Sequence, residues 1–216
     1  MALLAVDTAL GACSVVLLDG DRIRAHIFET MDRGHAERLA PMVDEAMRGT
    51  KFSSLQRLAV TIGPGTFTGQ RVGLAFMRGL RLALQRPLVG VTTLEVMAAA
   101  AGDETGMTKV AAIHDARREE AYLLLKQGTD VVLQPTVMPF AHALTRIRSF
   151  GPCALAGTGA ASAASLGPDY VLSSVRQPDA LWVARLAQKR LPSREVPGPL
   201  YLRAPDAKLP GGKTLA

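Results

Sequence analysis

Apolar residues recur along this chain with two different periods, and each period predicts an element. Residues 2–6, 12–18 and 58–62 are nearly continuous apolar runs, the pattern of strands covered on both faces. Residues 21–28 alternate instead. Ile23, Ala25 and Ile27 fall on one side and Arg22, Arg24 and His26 on the other, which predicts a half-exposed or edge strand entered through a hairpin turn at Asp19-Gly20. From 35 to 48 the spacing becomes helical, with apolar residues at 36, 39, 40, 43, 46 and 47 and Pro41 either kinking the helix or starting its second part.

The same reading carries on through the second half. It predicts a strand at 88–91, a helix at 93–101 capped by Thr92 or Thr93, and a glycine-bracketed hinge at 102–106. Strands at 110–113 and 121–125 flank His114-Asp115-Ala116-Arg117-Arg118. A short strand at 131–133, a helix at 139–149, the run Cys153–Ala156 into Gly157-Thr158-Gly159, and a helix at 179–190 complete the series. Both halves then read three strands, helix, strand, Gly/Thr turn, helix. That order predicts a duplicated α/β unit whose second copy is reduced, with lobes at 1–102 and 107–191 and a Pro-rich basic tail at 192–216. Asp7, the Gly63 turn and the Gly157 turn would all sit at strand C-termini facing one cleft, where open α/β sheets bind ligands.

The stretch from Gly63 to Leu84 organises the rest. Gly63-Pro64-Gly65-Thr66-Phe67-Thr68-Gly69 is a turn between a strand and a helix, and the unpaired N–H groups of a helix start favour an anion. A Gly-Pro-Gly that merely reverses the chain would look the same. On a helical wheel Arg71, Arg78, Arg81 and Gln85 form one narrow stripe, while Val72, Ala75, Phe76, Leu80, Ala83 and Leu84 fill an apolar arc about twice as wide as one sheet requires. The excess predicts a second packing surface.

Composition narrows the choices. With 216 residues, 48% of them hydrophobic, and a mean hydropathy of +0.17, the chain has enough apolar surface for a real core. No run approaches a membrane span and no leader precedes Asp7, so a cytoplasmic protein is expected. Cys13 and Cys153 read as reduced, buried thiols. The net charge is +6, and residues from Arg176 onward contribute +5 of it, eight basic against three acidic. Such a tail can touch RNA phosphates or simply be a solvated face.

Catalytic signals are sparse. The four histidines, His26, His35, His114 and His142, are not spaced as metal ligands, and neither a phosphate-binding Gly-x4-Gly-Lys loop nor a nucleophile–base spacing stands out. Asp7 with the Gly63 turn could still serve an ATP-dependent kinase or hydrolase, with Asp115 as its base, and this alternative remains open.

Several stretches occur together in one known family. Val6-Asp7-Thr8 with Ala12-Cys13-Ser14-Val15, His35 with Leu39-Ala40-Pro41-Met42-Val43, and the Gly63–Gly69 turn with Arg71-Val72-Gly73-Leu74 resemble the TsaB (YeaZ-type) family. So do Gly90-Val91-Thr92-Thr93-Leu94-Glu95, Asp115-Ala116-Arg117 and Pro199-Leu200-Tyr201-Leu202-Arg203. The resemblance implies the duplicated actin/hexokinase/Hsp70-like (ASKHA) fold. It also implies a non-catalytic subunit that dimerises with and activates a TsaD-type threonylcarbamoyltransferase, beside a TsaE-type ATPase, in making threonylcarbamoyladenosine (t6A) in tRNA. Its partner face would lie on residues 35–48 and 69–84, through His35, Leu39, Val43, Ala46, Met47, Arg71, Val72, Gly73, Phe76 and Leu80. A nucleotide or anion would meet Asp7, Thr8, Gly63, Gly65, Thr66, Gly157 and Gly159. No intrinsic cofactor or metal is implied: ATP or ADP with Mg enters only at the assembled complex, tRNA is reached through the complex, no membrane is involved, and the isolated chain can pair with itself.

Overall fold

Two five-stranded sheets of one topology carry the chain in the computed structural model, which describes residues 1–192 and 195–203. The first runs in the order β3 (Arg22–Thr30), β2 (Ala12–Asp19), β1 (Ala2–Asp7), β4 (Arg57–Thr61), β5 (Leu88–Val91). Its first two pairings are antiparallel and its last two parallel. The second sheet repeats this scheme with β8 (Asp130–Pro139), β7 (Glu120–Gln127), β6 (Lys109–Arg117), β9 (Ala154–Ala156) and β10 (Val171–Leu172). The duplicated α/β unit expected from the sequence is therefore present. Its second copy is shortened at β9 and β10.

The apolar run of β1 is buried on both faces because helices cover both. Leu4 and Val6 face α1 (His35–Ala46) and α2 (Phe67–Leu84), while Leu3 and Ala5 face α6 (Ala180–Gln188). Strand β3 has no second neighbour, and its alternating pattern leaves Ile23 and Phe28 exposed at the edge. Strand β8 runs well beyond the expected 131–133, to Pro139. Pro135 is accommodated because it sits on an edge strand at a register shift opposite Leu123–Leu125, where its missing N–H is not needed.

Two helices depart from the expected division into lobes. α6 lies in the sequence of the second lobe but packs Ala180, Val183, Ala184 and Ala187 onto the first sheet. α3 (Thr93–Thr105) lies in the sequence of the first and packs Leu94, Met97, Ala98 and Ala101 against Val110, Ala112 and Leu124 of the second. Each sheet is thus partly covered by a helix from the other half of the sequence. The hinge expected at 102–106 is the last turn of α3, which closes on Gly106 in the left-handed region at φ 70°. Thr92 and Glu95 form a reciprocal capping box at its start. α4 (Phe140–Phe150) covers the second sheet, and α5 (Ala160–Ala164) is a single turn after the Gly157 loop.

Candidate docking face and interlobe cleft

The Gly63 turn is pressed onto the end of β1. Thr66 caps α2, its hydroxyl accepting from the Gly69 amide at 3.0 Å, and the Thr66 amide donates to the Ala9 carbonyl at 2.8 Å. The Thr8 hydroxyl accepts from the Gly73 amide at 3.0 Å and donates to the Gly69 carbonyl at 2.7 Å. Glycine is needed here for closeness: a Cβ on Gly65 would lie 2.3 Å from the Ala9 carbonyl, and one on Gly69 would lie 2.3 Å from that of Thr8. The Gly69 amide, which a phosphate could have used, is taken up by the Thr66 hydroxyl.

Asp7 is 0% exposed. One carboxyl oxygen accepts from the Thr61 hydroxyl at 2.5 Å and from the Ala9 amide at 3.3 Å, and the other has no partner among the described residues. Burial pushes its pKa up to about 7, against the lowering effect of those hydrogen bonds. The second lobe repeats the arrangement. The Gly159 amide donates to the Ile113 carbonyl at 3.1 Å, and a Cβ on Gly157 would lie 2.2 Å from that same oxygen.

Between the lobes lies an open cavity of about 910 Å³, walled by Pro64, Gly65, Thr66, Phe67, His114, Arg117, Gln177 and Leu200–Arg203 among others. Of the seven positions expected to touch a nucleotide, Gly65 and Thr66 line this cleft. Gly159 lines a neighbouring hollow beside Asp115 and Phe140. Asp7, Thr8, Gly63 and Gly157 are buried behind them. His114 is buried too, its pKa pushed down to about 4 by desolvation. Among the described residues no cluster of three His, Cys, Asp or Glu is placed to hold a metal, and no helix is long and apolar enough to cross a membrane.

The expected docking positions divide. Leu39, Val43, Ala46, Met47, Gly73 and His35 are buried by this chain itself, so they are corrected from contact residues to core. The reason is that the apolar face of α1 is needed to cover β2 and α2: Leu39, Met42 and Val43 share one cluster with Leu4, Cys13 and Met77. His35 ties the helix start to the Leu10 carbonyl, 3.0 Å from its Nε2. α1 shows solvent Ala36, Glu37, Ala40, Pro41 and Asp44.

α2 behaves differently. Gly73, Leu74 and Met77 are buried, Val72, Phe76 and Leu80 are half-buried, and Arg71 is exposed. An outer apolar face remains, made of Leu82 at 70% exposure, Phe67 at 49%, and the small residues Ala75, Gly79 and Ala83. Leu82 and Phe67 were not singled out by the sequence reading: Leu82 lies at the border of the apolar arc, and Phe67 lies on the arginine stripe. The third contributor is Pro197–Arg203, which returns along α2. The Pro197 carbonyl accepts from Arg78 Nε at 3.0 Å, and the Leu200 amide donates to the Ile62 carbonyl at 2.7 Å.

Comparison with known proteins places the chain among its relatives. The family model described as "TsaD: tRNA N6-adenosine threonylcarbamoyltransferase" matches residues 23–158. The chain is 39% identical over 150 residues to the tRNA threonylcarbamoyladenosine biosynthesis protein TsaB of Escherichia coli, a stretch that spans 64% of each. It thus covers just under two thirds of that relative. Among solved structures, "YeaZ from Pseudomonas aeruginosa" superposes with a TM-score of 0.75 at 32% identity, covering 87% of this chain and 91% of that one. A second structure from that organism, of a protein with similarity to peptidase YEAZ, gives a TM-score of 0.79 at 31% identity over 94% and 99% of the two chains.

Proposed function

The chain belongs to the family matched over residues 23–158 and is of TsaB/YeaZ type, and from that premise we propose that it is the non-catalytic partner subunit of a TsaD-type threonylcarbamoyltransferase. In this reading it dimerises with and activates that enzyme in t6A modification of tRNA, in the cytoplasm and beside a TsaE-type ATPase. ATP or ADP with Mg belongs to the assembled complex.

The observation that carries the reading is the outer face of α2. A helix that had only its own sheet to cover would turn polar side chains outward there. This one presents Leu82 beside a strip of Ala75, Gly79 and Ala83, small enough for another helix to come close, with the exposed Arg71 and Arg78 and then Phe67 along its flank. Removing exposed apolar area of this kind from water contributes about 25 cal/mol per Å².

The alternative of an ATP-dependent kinase or hydrolase requires Asp7 to meet a metal-bound phosphate. That carboxyl lies behind Thr8, Ala9 and Thr61, away from the cleft, and no observation favours the alternative.

Mixing the purified chain with its TsaD-type subunit tests the docking reading. Leu82→Asp is expected to weaken association about a hundredfold, because an unpaired charge then faces the apolar contact, while the melting temperature of the isolated chain stays unchanged. Co-elution of Leu82→Asp with the partner at wild-type affinity would overturn the reading. Val43→Asp does not serve here, since Val43 is core and the variant should fail to fold.

A further inference from the structure

We propose that the segment 195–203 is a third element of the docking face, a strap that presents Tyr201 to the TsaD-type partner. The inference rests on the docking reading above and names residues that reading leaves out.

The strap runs antiparallel to α2. Its Pro197 carbonyl accepts from Arg78, and four residues on, the Tyr201 hydroxyl accepts from Arg71 Nε at 2.6 Å. On a helical wheel Arg71 and Arg78 lie within about 20° of each other, and Leu82 and Ala75 follow within about 40°. The strap therefore borders the exposed apolar arc along one side, while α1 borders the other through Val72 and Phe76, which pack on the shared core.

What the strap exposes has the chemistry of an interface. Tyr201 is 43% exposed and stacks on Phe67 with ring centroids 6.1 Å apart. The Arg71 guanidinium lies 3.4 Å over the Phe67 ring. Tyrosine, phenylalanine and arginine are enriched in interfaces, and the first and last carry much of the energy. Side chains already held against one another lose less entropy on docking than free ones. The far end is held as well: Arg203 donates to the Ala116 carbonyl at 2.8 Å and pairs with Glu120 on β7. Tyr201 is thus positioned from both lobes, next to the surface on which the partner helix would lie. The occupant is that same partner, because the Tyr201–Phe67–Arg71 group continues the α2 face without a break.

Calorimetric titration with the TsaD-type subunit tests this, with Leu82→Asp as the reference variant. Tyr201→Ser is expected to lower affinity at least about tenfold with an unchanged melting temperature. Tyr201→Phe keeps the ring and should bind within about threefold of wild type. In the wild-type complex, amides of 195–203 should gain protection from hydrogen exchange. If wild type binds, Leu82→Asp does not, and Tyr201→Ser binds as wild type with no gain in protection, the strap proposal is overturned and the docking reading stands. If wild type fails to bind, or Leu82→Asp binds normally, the docking reading fails and the strap proposal falls with it.

Discussion

Asp7, the last residue of β1, and His114, within β6, are buried titratable side chains, and burial drives both toward neutrality. Their effects on stability have opposite signs. Asp7, raised from 3.8 to about 7, keeps its proton in the folded chain; its contribution is full below about pH 4 and is lost as pH rises through 7. His114, lowered from 6.5 to about 4, stays neutral when folded; its contribution is full above 6.5 and is lost as pH falls toward 4. Each spans at most about 3–4 kcal/mol. Urea unfolding of the wild type should therefore change little between about pH 4.5 and 6.5 on account of this pair. Asp7→Asn should grow more stable as pH rises over that range, and His114→Gln less stable. Parallel curves for the two variants would refute the assignment. Above 6.5 the His26–Asp179 pair, which raises His26, adds to the loss with rising pH.

The glycines of α2 illustrate how one element serves two surfaces. Gly69 lies where a Cβ would meet the Thr8 carbonyl, whereas Gly79 has nothing within 4 Å. Gly69→Ala should cost about 2–3 kcal/mol through overpacking, and Gly79→Ala should gain about 0.5–1 kcal/mol of helix propensity. Chemical denaturation of the two variants checks the contrast. If Gly79 lies in the docking face, the stabilised variant should also bind the TsaD-type partner less well, because the added methyl keeps the helices apart. α1, by contrast, spends its apolar side on its own core and turns small and acidic residues outward.

The lobes are joined by exchange as much as by covalent connection. α3 crosses to the second sheet and α6 returns to the first, where Arg57 on β4 donates to the carbonyls of Ala187 and Arg190 at 2.8 and 3.1 Å. A fragment of residues 1–106 would leave Leu3, Ala5, Val16, Leu18 and Ala59 without their covering helix. Such a fragment should remain unfolded by circular dichroism and near-ultraviolet spectra. Independent cooperative folding of 1–106 would show that α6 is dispensable to the first lobe.

The α/β class and most strands were readable from periodicity, because burial on both faces writes an unbroken apolar run such as Leu3–Val6 and an edge writes an alternating one such as Ile23–Ile27. The turn chemistry at Thr66 and Thr92 was equally local. The width of the apolar arc on α2 announced a second surface, but a wheel cannot say which part of an arc a neighbour will cover. Leu39 and Val43 and the outer Leu82 look alike as letters, and only the placement of α1 against β2 and α2 separates core from face. The burial of Asp7, the packing of α6 on the first sheet, and the return of Tyr201 to Arg71 join residues 50 or more positions apart. Contacts of that range depend on how finished elements pack, and local spacing carries no record of it.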